Sequence, residues 1–196
     1  MADSLYLSLW FPSLDPEEML PRTISVLRQF PFSALEPGVK YVTVHPVDWA
    51  EPTIMEQRFV PPATPDEVAT VLSEFAESDF ALGLEVYWDL WIPDDRGEWG
   101  LRPSKVDILV NGVEFDEGAF RDRGHVEIDF GLDHPFLYED RDLSPEDEAR
   151  VKVNIAKLVD FTQKLEKNSQ LRGRVLWSES DENFAQKLIS RLQRVQ

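Results

Sequence analysis

The sequence predicts an α+β protein, and three observations predict it. Strand-like runs alternate apolar with polar residues, helix starts carry a capping residue followed by proline and acids, and the first 92 residues read strand, helix, strand, strand, helix, strand. The elements follow in order. Leu5, Leu7, Leu9 and Phe11 alternate with Tyr6, Ser8 and Trp10, which makes a strand with one face for the core. Asp15-Pro16-Glu17-Glu18 opens a helix: an oxygen to cap free amides, a proline at the first helical position, and carboxylates at the positive end of the helix dipole. Pro21 would remove a hydrogen bond from that helix, so a break is expected there, with the main helix running from Pro21 to Phe30 through Ile24 and Leu27.

Val42 and Val44 alternate with Tyr41, Thr43 and His45, and Met55 to Val60 forms a weaker strand. Thr64-Pro65-Asp66-Glu67 repeats the helix start, followed by Val68, Val71, Leu72 and Phe75 on one face to an end near Ser78. Leu84, Val86, Trp88, Leu90 and Ile92 alternate with Glu85, Tyr87, Asp89 and Trp91. Pro93 to Pro103, with Asp94, Asp95, Arg96 and Gly97, reads as a surface connection. Strands at Val106–Val110 and Val126–Phe130 come next. Ser144-Pro145-Glu146-Asp147 starts a helix that carries Val151, Ile155, Leu158, Thr162 and Leu165 to about Asn168. A strand at Arg174–Trp177 and a helix from Ser180 or Asp181, with Phe184, Leu188, Ile189, Leu192 and Val195 as its apolar face, close the chain.

The opening order is the split βαβ, or ferredoxin-like, pattern (βαββαβ), in which an antiparallel sheet takes two helices on one face. The expectation is one α+β domain over residues 1–196 with six or seven strands. Residues 1–92 form the βαββαβ half, residues 93–143 extend the antiparallel sheet at its edge, and residues 144–196 are a helix–strand–helix tail on the body.

Composition bounds the function. The chain has 196 residues, 20 basic against 37 acidic side chains for a net charge of −17, 42% hydrophobic residues and no cysteine. That hydrophobic content supports a buried core and argues against disorder. A body this acidic repels phosphate backbones and anionic membranes, so neither nucleic acid nor a membrane is an expected partner. Without cysteine there is no disulfide framework, thiolate metal site or thiol nucleophile. The amino terminus lacks the features of a secretion signal and no run of 18 apolar residues occurs, so a cytoplasmic location is expected. The charge is uneven: residues 1–149 carry 10 basic and 32 acidic side chains, residues 150–196 carry 10 basic and 5 acidic. The basic tail is expected to dock on the acidic body.

No motif fixes a reaction. A Gly-x-Ser-x-Gly elbow and the phosphate-cradling glycine loops are absent, so neither catalytic residues nor a cofactor are assigned. His45 to Trp49, with Asp48 between, reads as a turn holding an imidazole and a carboxylate. His125, Glu127 and Asp129 fall two apart on one strand and would line one face, with Asp133 and His134 folding back beyond Gly131. Imidazoles with carboxylates suit a divalent metal, which makes a metal-assisted hydrolase the alternative reading. The aromatic pattern is more informative. Trp10, Tyr41, His45, Tyr87 and Trp91 collect on the sheet face opposite the first two helices, with Tyr6, Glu85, Asp89, Glu127 and Asp129 among them. Such a face suits a flat or apolar ligand oriented by carboxylates, unless the two carboxy-terminal helices cover it. The leading expectation is a non-enzymatic protein that binds a protein partner or a small molecule. An acidic antagonist that neutralises a basic partner, of the immunity-protein type, is the further alternative. Oligomeric state is not legible in the sequence.

Overall fold

The computed structural model describes residues 3–138, 142–179 and 184–193. Its centre is one seven-stranded sheet in which every neighbouring pair is antiparallel. The strands are β1 (Ser4–Trp10), β2 (Val39–Pro46), β3 (Met55–Ala63), β4 (Phe80–Pro93), β5 (Trp99–Asn111), β6 (Val126–Leu132) and β7 (Gly173–Ser178). They lie in the order β3-β2-β4-β5-β6-β1-β7. The helices are α1 (Pro16–Gln29), α2 (Pro65–Leu72), α3 (Phe120–Arg123), α4 (His134–Leu137), α5 (Pro145–Asn168) and α6 (Phe184–Gln193).

All seven sequence-predicted strands are present, but their order is not the ferredoxin-like one. A split βαβ would seat β1 beside β4, whereas here β4 takes β5 as its second neighbour and β1 pairs with β6 and β7. The reason is local. A tight turn at 94–98 folds β4 directly onto β5, with the Asp94 carboxylate accepting the Arg96 and Glu98 amides at 2.9 Å. Short-range closure of this kind costs less chain entropy than a return of β1 across about 70 residues. β5 and β6, the strands expected to extend the sheet at its edge, therefore lie in its middle, and Trp99–Pro103 is strand rather than loop.

The core lies on one face. Leu5, Leu7 and Leu9 of β1, Val42 and Val44 of β2, the even-numbered residues Leu82 to Leu90 of β4, and Val106, Ile108, Val126, Ile128 and Phe130 are all buried. Against them pack α1, α2, α5 and α6. Trp88 is fully buried among Phe30, Phe130 and Phe136, with ring centroids 6.0, 5.0 and 6.0 Å away. Phe161 of α5 meets both Phe30 and Phe130 edge-on. Each such side chain contributes roughly 1.5–3 kcal/mol by leaving water.

Several helix details depart from expectation. α1 runs unbroken through Pro21 from Pro16 to Gln29. Burial of Met19 before the proline and of Ile24, Val26 and Leu27 after it offsets the missing hydrogen bond. Thr64 and Ser144 cap their helices through the side chain, but Asp15 does not. α2 ends at Leu72, six residues early, with the Ser73 hydroxyl donating to the Thr70 carbonyl at the cap. α5 has the predicted span and stripe. α6 buries Phe184, Leu188 and Arg191, leaving Ile189 and Leu192 exposed, because Arg191 pairs with Glu148 at 2.8 Å and donates to the Leu137 carbonyl. The predicted start of α6 at Ser180 or Asp181, and Val195, lie outside the described residues.

The tail docks chiefly through apolar burial. Val151, Ile155, Leu158, Phe161 and Leu165 join the core, while Arg150, Lys164 and Arg174 pair with acids of α5 itself. α5 also completes the sheet. β2 stops pairing at Val86, so β4 beyond it has an unpaired edge. The Asn154 carboxamide accepts the Trp91 amide at 2.8 Å and donates to the Trp91 and Pro135 carbonyls at 2.9 Å, taking the place of a neighbouring strand.

Candidate sheet-face binding site

The opposite face of the sheet is left open. Among the described residues α1, α2 and α6 pack on the core side, and α5 reaches this face only at the far end of β4, where Arg150 stands 5.5 Å over the Trp91 ring, so the carboxy-terminal helices leave most of the aromatic face uncovered. At the β1 end α3 reaches across, where the Trp10 indole donates to the Phe120 carbonyl at 2.9 Å and the His125 and Phe120 rings stack at 4.5 Å.

Antiparallel register lines up side chains across six strands. Tyr41, Glu85, Asp107, Asp129, Tyr6 and Trp177 are successive Cα partners from β2 to β7. At about 4.8 Å per strand the row spans about 24 Å. Acids occupy its middle and aromatics its ends, with Tyr6 and Trp177 stacked at 4.5 Å. Thr43, Gly83, Leu109, Glu127, Ser8 and Val175 form the adjoining row.

A depression of about 400 Å³ opens where the rows meet β2, walled by Tyr41, His45 and Trp49 on one side and by Glu85, Asp107, Glu127 and Asp129 on the other. Gly83 makes its floor. A Cβ there would stand 2.4 Å from the Thr43 hydroxyl, which instead meets His45 Nε2 at 3.0 Å. Trp49 is held over the wall by an unusual turn. Val47, Asp116 and Glu117 all have positive φ, at 59°, 48° and 56°. For a β-branched valine this is a true outlier, costing of order 1–3 kcal/mol. Hydrogen bonds fix it: Val47 donates to the Asp79 carbonyl and accepts from the Asp116 amide, both at 2.7 Å. Trp49 then meets Phe115 edge-on at 5.1 Å and His45 at 4.9 Å while staying 42% exposed.

The electrostatics favour a cation. Glu85 and Asp107, and Asp107 and Asp129, are directly opposed like charges, an arrangement that destabilises an isolated sheet. Lys105 relieves part of it with an ion pair to Asp107 at 2.7 Å. Burial raises Glu127 above its ordinary pKa, and the neighbouring Asp129 charge adds to this. Asp129 is likewise raised by burial and by Asp107, although the Gly131 amide donates to it at 2.8 Å. Burial lowers His45, leaving a neutral ring in the wall at neutral pH.

The sequence-predicted ligand residues divide. Tyr41 and His45 meet in the depression. Tyr87 stands one row away, its hydroxyl 3.2 Å from Glu85 and its ring under Lys40. Trp91 lies far along β4 under the Arg150 guanidinium, and Trp10 lies at the α3 end of β1. Trp49, at the end of the His45 to Trp49 turn, and Gly83 join the site although strand alternation points to neither; a glycine inside an otherwise alternating strand is the signal for Gly83. Asp48 behaves as a turn residue, its carboxylate accepting the Ala50 and Glu51 amides.

The metal reading fares differently. Among the described residues no group of three or more histidine and carboxylate side chains is placed to hold a metal ion. His125 sits before β6 and Asp133 and His134 after it; about eight residues of extended chain separate them by about 26 Å. His125 Nδ1 accepts the Phe11 amide at 3.0 Å. Asp133 is buried and accepts the Asp3 amide at 3.2 Å, and His134 lies 4.2 Å from the Tyr138 ring. Beyond Gly131 the chain runs on to α4 in the helical layer rather than folding back over Glu127 and Asp129, so the five residues are not brought together.

Fold and site together define an α+β protein with a one-sided helical layer and an acidic, aromatic-edged open sheet. No family model, no curated protein and no solved structure matches the chain. Among the described residues no helix is long and apolar enough to cross a membrane.

Proposed function

We propose that this chain is a non-enzymatic binding protein whose open sheet face receives a basic segment of a protein partner. The observation that carries the reading is the row from Tyr41 through Glu85, Asp107 and Asp129 to Tyr6 and Trp177. Its opposed carboxylates raise the free energy of the unoccupied face, and cationic side chains relieve that cost. Lysine or arginine heads meet the acids, and the aromatic ends take their stems or the guanidinium planes. The depression beside Trp49 has room for one such side chain. An antagonist of a basic protein is the kind of activity this surface serves, which joins the interaction and immunity-type expectations in one mechanism.

The test is a thermal-shift and titration comparison of a Lys/Arg-rich peptide with its Asp/Glu-rich counterpart. The basic peptide is expected to bind and to raise Tm. Trp49→Ala is expected to weaken it about two- to fivefold, since an exposed cation–π interaction supplies roughly 0.5–1 kcal/mol, whereas the Tyr41 ring already carries Arg58 at 5.1 Å. Equal binding of both peptides would overturn the reading.

A further inference from the structure

A second concavity, distinct from the acidic face, has the opposite chemistry. A cleft of about 490 Å³ lies where the end of β1 turns into α1, bounded by α3 and by the residues that enter β7. Trp10, Phe11, Leu14, Val113 and Phe120 supply apolar walls. A volume of this size with a mostly apolar lining has room for a small organic molecule.

The polar groups are specific. Arg172 lines the cleft, and its amide donates to the Trp10 carbonyl at 2.7 Å, which anchors its backbone there. Its side chain makes no ion pair or hydrogen bond among the described residues. His125 also lines the cleft and is only 5% exposed. Because its Nδ1 accepts the Phe11 amide at 3.0 Å, the ring proton sits on Nε2. Burial, helped by the Arg22 charge, lowers its pKa and keeps the ring neutral at pH 7. Nε2–H has no acceptor among the described residues, so this buried ring keeps a spare donor. The walls are preorganised: the Trp10 indole is fixed on the Phe120 carbonyl at 2.9 Å, and the Phe120 and His125 rings stack within 8° of parallel.

We propose that this cleft binds a small organic monocarboxylate with a flat apolar body, its carboxylate on the Arg172 guanidinium and His125 Nε2–H and its body against Trp10 and Phe120. A guanidinium with a second donor is suited to a planar carboxylate, and aromatic walls give contact area at small entropic cost. Asp15, also in the lining, limits the ligand to a single negative charge. Ser13 does not compete for it, since its hydroxyl donates to Glu18 at 2.5 Å.

The experiment is an NMR titration of the full chain with indole-3-acetate and with its neutral isostere indole-3-acetamide. Saturable shifts confined to the Trp10 indole, Phe120, His125 and Arg172 are expected for the acid, with the amide at least about tenfold weaker, the low end for a charge-assisted contact. Arg172→Gln, at an exposed position, is expected to bring the acid down to the amide's affinity while leaving other resonances in place. Equal affinity for acid and amide, an unaltered Arg172→Gln variant, or shifts located elsewhere would overturn the proposal.

Discussion

Gly83 carries no side chain where β4 crosses the floor of the depression, and Thr43 and His45 meet above it. Gly83→Val is expected to keep the strand but cost about 1–3 kcal/mol through overpacking against the Thr43 hydroxyl, and to close the depression; denaturant unfolding and peptide titration measure the two effects. The acids give a second residue-scale prediction. Glu127 and Asp129 have raised pKa values when folded, so the folded state holds their protons more tightly than the unfolded chain does. Stability therefore falls as pH rises from their ordinary carboxylate range through the raised values, and the penalty persists at neutral pH. Asp129→Asn is expected to stabilise at pH 7 by about 0.2–1 kcal/mol, the size of an opposed like-charge pair, and to flatten that pH dependence in urea titrations at about pH 4 and pH 7. Little of this was legible beforehand. Alternation put Glu127 and Asp129 on one face, but it also put His125 in their row, and only the return of α3 over the end of β6 takes that ring away.

Whole elements were more legible than their arrangement. Period-two alternation located all seven strands, and the Ser144-Pro145 start with its stripe located α5 to its ends, because both signals are local. Strand order was not local. β1 is joined to Leu132 on one side and Ser178 on the other, pairings across more than 120 residues that no window of sequence contains. Nor could a sequence window show that one asparagine replaces a strand. Asn154→Leu keeps an apolar side chain of similar size but strands the Trp91 amide. The expected cost is about 1–3 kcal/mol, read from urea unfolding, with faster hydrogen exchange at the Trp91 amide. Pro21 shows the same limit from the other side: a breaker read by local rules is overridden by burial on both sides of it.

At the scale of the molecule, charge and core play separate roles. The basic tail completes the sheet with β7 and caps Trp88 and Phe130 with α5, so it is part of the core rather than an electrostatic clasp. A chain ending at residue 143 is expected to lose cooperative unfolding and to expose those aromatics to a hydrophobic dye, at low and high salt alike. Glu85, Asp107, Glu127 and Asp129 of the open face are not used in holding the tail. The most direct measurement is the salt dependence of a Lys/Arg-rich peptide's affinity for the native chain and for the Asp107→Asn, Asp129→Asn double variant. Affinity for the native face is expected to fall steeply as salt rises, with at least about a tenfold loss and a shallower salt dependence in the variant. Binding that ignores both added salt and the two substitutions would contradict this expectation.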